Sequence, residues 1–273
     1  MDSENTTKFL AIDEEDAIVR CLSRSNNAKF IGSWKSLKDY NSDIPVIFRS
    51  MSQRKTVAMC EQQGREYLYI DTGYIGNLEK RKNWHRVVPS GMQHFQPRYD
   101  LPEDRFLRIS SNKEYLPFSS WKTDGTAILV VTPSDKPCLF YGVDRTKWLE
   151  NTIAEIKKYT DRPIVIRDKG LRRERIGRNN IYHQLEDDNI FAVVTYNSIA
   201  ATEAIGYGIP AFTCAPNAAD EFCLKDLSKI ETPLYEDVEK VKKWQHWLGY
   251  CQYTPDEMQD GTTMNLIKEY DLK

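Results

Sequence analysis

Between Ile190 and Cys214 the chain reads IFAVVTYNSIAATEAIGYGIPAFTC, and its polar residues have the types and spacing to hold a phosphorylated ligand. Asn197 and Ser198 follow an apolar, β-branched run ending at Thr195, and they precede a helix-favouring segment built on Ala200, Ala201, Ala204 and Ile205. A helix that starts at the carboxyl end of a parallel strand turns free backbone N–H groups and the positive end of its dipole outward, which suits an anion. Both Asn197 and Ser198 are good N-cap types. Glu203 lies about a turn and a half past Ser198, in position to hydrogen-bond a ribose. Gly206 and Gly208 end the helix, and Pro210 opens the next strand.

Three further constellations carry possible chemistry. The segment RPIVIRDKGLRRERIGR, Arg162 to Arg178, holds the densest positive charge, countered only by Asp168 and Glu174. Its first residues read as a strand, so Arg167 and Lys169 fall at the carboxyl end and on one side, where they can clamp a pyrophosphate. The rest, Arg172 to Arg178, reads equally as a solvated basic loop. Thr132 and Ser134 end another apolar run in a Ser/Thr turn with hydrogen bonds to offer the same ligand. Asp71 closes the strand-like EYLYID ahead of Gly73, where a carboxylate either serves a ligand or bonds its own turn. Trp84, His85 and Arg86 mix aromatic and basic character suited to a sugar, a phosphate or a flipped base; the alternative is a core tryptophan beside a surface charge.

Those residues require a scaffold that gathers strand ends. Strand-like and helix-like stretches alternate through the first hundred residues: Ala28–Gly32, Ser33–Tyr40, Ile44–Phe48, Thr56–Gln63, Glu66–Asp71 and Trp84–Val88. From Gln96 to Thr126 the pattern breaks on Pro97, Pro102 and Pro117. It resumes with strands at Ala127–Thr132, Pro163–Arg167 and Ile190–Tyr196, and helices near Arg145–Tyr159 and Asn180–Leu185. A final helix, Glu236–Leu248, carries Val238, Val241, Trp244 and Trp247 on one stripe. The reading is an α/β protein of two Rossmann-like lobes facing a cleft. Residues 1–100 form the first lobe, 101–125 an irregular connection, 126–235 the second lobe, and 236–273 helices packing back across the lobes.

Composition narrows the classes. With 273 residues, 40% of them hydrophobic and 11% aromatic, the chain buries a substantial core. A formal charge of −2 gives no global attraction to nucleic acid, so DNA binding would need strongly segregated charge. No apolar run approaches the ~20 residues of a membrane span, and the acidic start lacks a signal-peptide pattern. The expectation is a soluble, cytoplasmic protein with no membrane partner and no defined oligomeric state. The six cysteines form no CxxC pair, and the four histidines show no HExxH spacing, so no metal site is legible. No GxGxxG follows a strand, and no GxxxxGK[ST] or clear DxD occurs.

The order Val-Val-Thr-Tyr-Asn-Ser, small residues, Glu-Ala, then Gly-Ile-Pro resembles the donor half of GT-B-type glycosyltransferases. It is most similar to the capsule-polysaccharide and teichoic-acid-polymerase-like branches and to small bacteriophage sugar transferases, over about Thr126 to Ala218. The resemblance implies a compact GT-B-like fold and a metal-independent enzyme with no cofactor beyond its nucleotide-sugar donor, a UDP-sugar first among the candidates. It places Thr132, Ser134, Arg167, Lys169, Thr195, Asn197, Ser198 and Glu203 at the donor. Where that family carries Arg-Pro-His-Pro or Lys-Pro-His-Pro, this chain has Arg-Asp-Lys-Gly, which keeps the charge and lacks the histidine. Asp71 matches the aspartate expected to deprotonate the acceptor hydroxyl. The phage likeness implies a hydroxymethylated pyrimidine in DNA as acceptor, met by Trp84, His85 and Arg86, and host cytoplasm as the location. A bacterial surface glycan as acceptor, a non-catalytic nucleotide-binding protein, and a GT-B-like epimerase are the alternatives.

Overall fold

A computed structural model describes residues 7–77, 84–110, 117–168 and 180–273. In chain order the elements begin β1 (Phe9–Ile12), α1 (Ala17–Ser25), β2 (Ala28–Ile31), β3 (Val46–Arg49), α2 (Arg54–Gln63), β4 (Tyr67–Thr72) and β5 (His85–Pro89). Next come α3 (Asp104–Ser110), β6 (Ala127–Val131), α4 (Asp135–Tyr141), α5 (Arg145–Ile156), β7 (Ile164–Arg167), α6 (Ile181–Asp187) and β8 (Ile190–Thr195). The chain finishes with α7 (Ala200–Gly206), β9 (Ala211–Thr213), β10 (Cys223–Leu224), α8 (Val238–Tyr250), β11 (Gln252–Tyr253), α9 (Pro255–Gln259) and α10 (Thr262–Glu269). No helix among the described residues is long and apolar enough to cross a membrane.

The chain divides into two compact units. The first holds residues 7–73, 84–94 and 250–273; the second holds 74–77 and the described residues from 95 to 249. The final 24 residues, from Tyr250 to Lys273, are therefore part of the first unit. Helix α3 lies within the stretch expected to be irregular.

The first unit is a mixed sheet in the order β11-β5-β4-β3-β1-β2. Strands β1 to β4 run parallel, while β5 and β11 pair antiparallel at one side. β1 has only four residues, FLAI, of which Leu10, Ala11 and Ile12 are buried, as an interior strand covered on both faces demands. Its core combines Ala11, Val19, Leu22, Ile47, Leu68, Ile70 and Val87 with Tyr253, Met258 and Ile267 from the C-terminal segment. Asp16 caps α1 by accepting from the Ile18 and Val19 N–H groups at 2.9 and 3.1 Å, and its other oxygen meets the Arg49 guanidinium at 2.8 Å.

The second unit is a parallel sheet in the order β10-β9-β8-β6-β7. β6 and β8 are buried along their whole lengths, which explains their near-continuous Val, Ile and Ala content. β6 connects to β7 on one side, and the chain then returns to place β8 on the other. The strand order therefore reverses between β6 and β8, at a topological switch point. Doubly wound sheets bind ligands in the crevice outside the strand ends at such a point.

Gly208, at φ 89°, ends the turn after α7, and a Cβ there would drive into the Ser120 carbonyl oxygen. The same turn is pinned by the Lys122 N–H donating to the Gly208 carbonyl at 2.7 Å. Gly208→Ala should lose about 2–4 kcal/mol of stability, read as a lowered denaturant midpoint at unchanged slope. In the first unit, burial and then the nearby Arg86 charge push the His94 imidazole down to about 3. The unfolded chain takes up that proton near the ordinary value of about 6.5, so stability is full above about 6.5 and declines as pH falls toward about 3. Unfolding free energies measured across this window should fall less steeply in His94→Gln than in the natural chain.

Candidate functional site

In the second unit the polar turns after β6 and β8 meet at the switch point. The Thr195 hydroxyl, fully buried at the end of β8, donates to the Val131 carbonyl at the end of β6 (3.3 Å) and accepts from the Ser198 N–H (3.4 Å). Thr132 donates its hydroxyl to the Asp168 carboxylate at 2.9 Å, so it ties the end of β6 to the end of β7. These two threonines brace the strand ends; Thr195 has no surface to offer a ligand. Ser134 is half-buried at the N-cap position of α4, where its side chain makes no capping bond. Asn197 is buried and Ser198 half-buried in the turn ahead of α7.

The helix after that turn begins later than its sequence suggests. Ile199, in right-handed helical geometry, occupies the N-cap position of α7 and makes no side-chain cap bond. Ser198 still contributes, accepting from the Ala200 N–H at 3.3 Å. Glu203 lies in the first turn of α7 and is half-buried. Arg167 ends β7, with one guanidinium nitrogen donating to the Gln184 side-chain carbonyl on α6 at 2.6 Å. Lys169 and the basic run Arg172 to Arg178 lie outside the described residues.

Asn217, a residue that sequence reasoning passed over, holds this arrangement together. Its amide donates to the Ser198 carbonyl at 2.9 Å, while its carbonyl oxygen accepts from Thr202 at 3.3 Å and from the Ala219 N–H at 3.0 Å. Asp220 accepts from the Asn217 N–H at 3.2 Å and from Thr213 at 2.9 Å, which fixes the loop beyond β9. An asparagine with one donor set and one acceptor aimed at three segments is a brace for the Ser198 turn. The cue was the segment APNAAD after a strand, an Asx-type turn signal.

In the first unit Asp71 and the Trp84–Arg86 segment come together at the β4–β5 pair, where Asp71 faces Arg86 and Thr72 faces His85. The Asp71 carboxylate accepts from the Tyr69 hydroxyl at 2.6 Å and the Thr72 N–H at 2.7 Å, and meets the Arg86 guanidinium at 3.5 Å. Arg86 also donates to the Thr72 carbonyl at 2.8 Å. Each of these three groups donates to the Asp71 carboxylate. Its side chain keeps 28% exposure, while the Arg86 side chain keeps 6%. Asp71 thus bonds within its own strand and to Arg86 on the next, and its side chain still reaches solvent. Trp84 and His85 are buried at 6% and 1% exposure. The residues expected to form a stacking surface are therefore enclosed, as is most of β5. Gly73 follows in close contact, since a Cβ there would press on the Trp84 carbonyl at 3.1 Å.

Solved structures resemble the chain, one of them over nearly its whole length. It is described as Thermosulfurimonas dismutans KpsC, beta Kdo 2,7 transferase, and it aligns with a TM-score of 0.55 over 96% of this chain and 99% of that one at 11% identity. The fold is GT-B-like. A second chain, the beta Kdo 2,4 transferase of KpsC from the same organism, aligns with a TM-score of 0.48 over 88% and 90% of the two chains, also at 11% identity. No family model matches the chain, and no match was found among curated proteins. Two Rossmann-like units of a GT-B-like fold are thus present at a level of sequence divergence where only the architecture is shared.

Replacing Arg86 with Met keeps the stem but leaves Asp71 beside a neutral side chain and the Thr72 carbonyl without this donor. Partial exposure of Asp71 softens the loss, so Arg86→Met should cost about 2–3 kcal/mol, measured by denaturant unfolding.

Proposed function

We propose that the chain is a glycosyltransferase that moves a sugar from a nucleotide-linked donor to an acceptor hydroxyl. The observation that carries this reading is the placement of Ser134, Asn197 and Ser198 in the turns that follow the adjacent strands β6 and β8, at the switch point of the second unit, in a GT-B-like fold. There the Ser198 turn meets the donor's phosphates, Glu203 hydrogen-bonds the ribose, and Arg167 and Lys169 stabilise the diphosphate as it leaves. Thr132 and Thr195 hold the strand ends that present this surface. A UDP-sugar is the first donor to test.

Asp71 is the base in this reading. The acceptor hydroxyl gives its proton to the Asp71 carboxylate as its oxygen bonds to the anomeric carbon, and the diphosphate departs with the electron pair of the broken C–O bond. Tyr69, Thr72 and Arg86 orient the carboxylate for that transfer.

The acceptor favoured is a bacterial surface glycan. The KpsC neighbour is described as a transferase of Kdo, a sugar, and its fold is the one shared here. The DNA reading finds no such support, because Trp84, His85 and Arg86 are buried and the Arg172–Arg178 run lies outside the described residues.

The test is a panel of UDP-, GDP- and CMP-linked sugars, scored for hydrolysis and for transfer to glycan fragments and to hydroxymethylated DNA. Transfer to a glycan with one donor is the expected result. Asp71→Asn should lower turnover by about 10²–10⁴-fold while donor binding stays within about twofold, and Ser198→Trp should abolish donor binding. Donor binding without turnover of any acceptor would leave a nucleotide-binding protein in place of an enzyme. Unchanged donor affinity in Ser198→Trp would move the donor elsewhere.

A further inference from the structure

Four aromatic rings stand together at the carboxyl ends of β6 and β8. Tyr196 follows β8 directly, and its ring lies 5.5 Å from that of Tyr141 at 61° and 6.1 Å from that of Trp148 at 88°. Phe140 joins through Tyr141 at 5.0 Å and 69°. None of these contacts is a parallel stack. All four rings are half-buried, in a unit whose interior strand residues are almost wholly enclosed, and the neighbouring Leu139 is 63% exposed. Aromatic and aliphatic groups left open side by side are the usual mark of a contact surface, because a core would have enclosed them.

The rings are held from behind. The Cys214 N–H donates to the Thr195 and Tyr196 carbonyls at 3.2 and 2.9 Å, fixing the backbone on which Tyr196 stands. Trp148, near the start of α5, packs on the core formed by Ile128, Val130, Ile156 and Phe191. Tyr196 and Trp148 are thus tied to the sheet and its core, and Tyr196 adjoins the polar turn at Asn197 and Ser198. An aromatic cluster one residue from a polar turn suits a ligand with a flat ring at one end and a polar or anionic group at the other.

We infer that Tyr196, with Tyr141 and Trp148 beside it, is the stacking platform for the nucleobase of the donor. The inference rests on the glycosyltransferase reading for the word donor, but binding of a free nucleotide tests it separately. Stacking on an aromatic ring is tolerant of base identity, since every base has a π-face. The platform therefore supplies affinity for nucleotides as a class, and selection among bases falls to other groups.

The experiment is calorimetric titration of the whole chain with UMP, CMP, GMP and AMP, and with ribose 5-phosphate as the ligand lacking a base. At least one nucleotide should bind, and ribose 5-phosphate should bind about 5- to 150-fold more weakly, the range expected for one stacked base. Tyr196→Leu keeps an apolar side chain of similar bulk without a π-face and should bring the nucleotide's affinity down to that of ribose 5-phosphate. Tyr196→Phe should stay within about threefold of the natural chain. Tyr141→Leu provides a second reading should Tyr196→Leu unfold, with folding of each variant checked by circular dichroism. Equal binding of nucleotide and ribose 5-phosphate, or undiminished nucleotide affinity in both leucine variants, overturns the platform even if sugar transfer is observed. Nucleotide binding that depends on Tyr196 without any transfer upholds the platform and rejects the transferase reading.

Discussion

The pairing of β8 against β6 is the constraint on which the second unit depends. β7 lies between them in sequence, yet β6 takes β7 on one side and β8 on the other, so the chain must cross the sheet before β8 is added. That crossing brings Val131 and Thr195, 64 residues apart, into hydrogen-bond contact. It opens the connections on either side away from each other, and the turns carrying Ser134 and Ser198 face the gap that results. Remove the crossing, with β8 added beyond β7, and the same residues would lie two strands apart along a flat edge. The polar turn, the asparagine brace and the aromatic platform all follow from that one choice of neighbour.

Polar side chains in this molecule serve mainly to hold backbone in place. Asn217 ties three segments, Asp16 caps a helix while pairing with Arg49, and Arg65 donates to the carbonyls of Leu37, Tyr40 and Asn41 in a region of short turns. Burial lifts the Asp16 carboxyl, but the Val19 N–H, the Arg49 guanidinium and the Ile18 N–H outweigh it and hold the group below the usual carboxylate range. Each of these groups has its hydrogen-bonding capacity directed at loops that regular structure would leave without partners. A sheet protein with many short elements needs such braces, because its strand ends carry the functional turns and have little packing of their own.

Much of this was legible before any coordinates. The β-branched runs of β6 and β8, the glycine that closes α2 and the proline that precedes β9 mark their elements by composition alone, as does the apolar stripe of α8. The strand β1 was harder to see, since four apolar residues among charges give no period to count, and only the sheet shows it to be an interior strand. The C-terminal pair Gln252–Tyr253 is shorter still, and its pairing with β5 depends on residues far away in sequence. The cluster at Ser198 could be read because its residues are contiguous. The brace at Asn217 and the ring contacts of Tyr196 could not, because tertiary packing assembles them. Trp84–Arg86 misled for a related reason: aromatic and basic character is common to a binding surface and to a buried strand whose arginine serves the backbone.

The first unit is assembled from both ends of the chain. Ser25 on α1 donates to the Met258 carbonyl on α9 at 2.6 Å, and Tyr253, Met258 and Ile267 fill the core beside Ala11 and Val19. On the ribosome, then, the amino-terminal strands emerge first and wait for their last partners until the intervening unit has been synthesised. Local contacts can form early, but closure of this core is limited by a loop of more than two hundred residues, given the 233-residue separation of Ser25 and Met258. The second unit, whose sheet is drawn from one unbroken stretch, is under no such delay. Vectorial synthesis thus orders maturation opposite to chain direction, with the later-encoded unit complete while the earlier one still exposes the apolar surface that its carboxyl-terminal segment will cover.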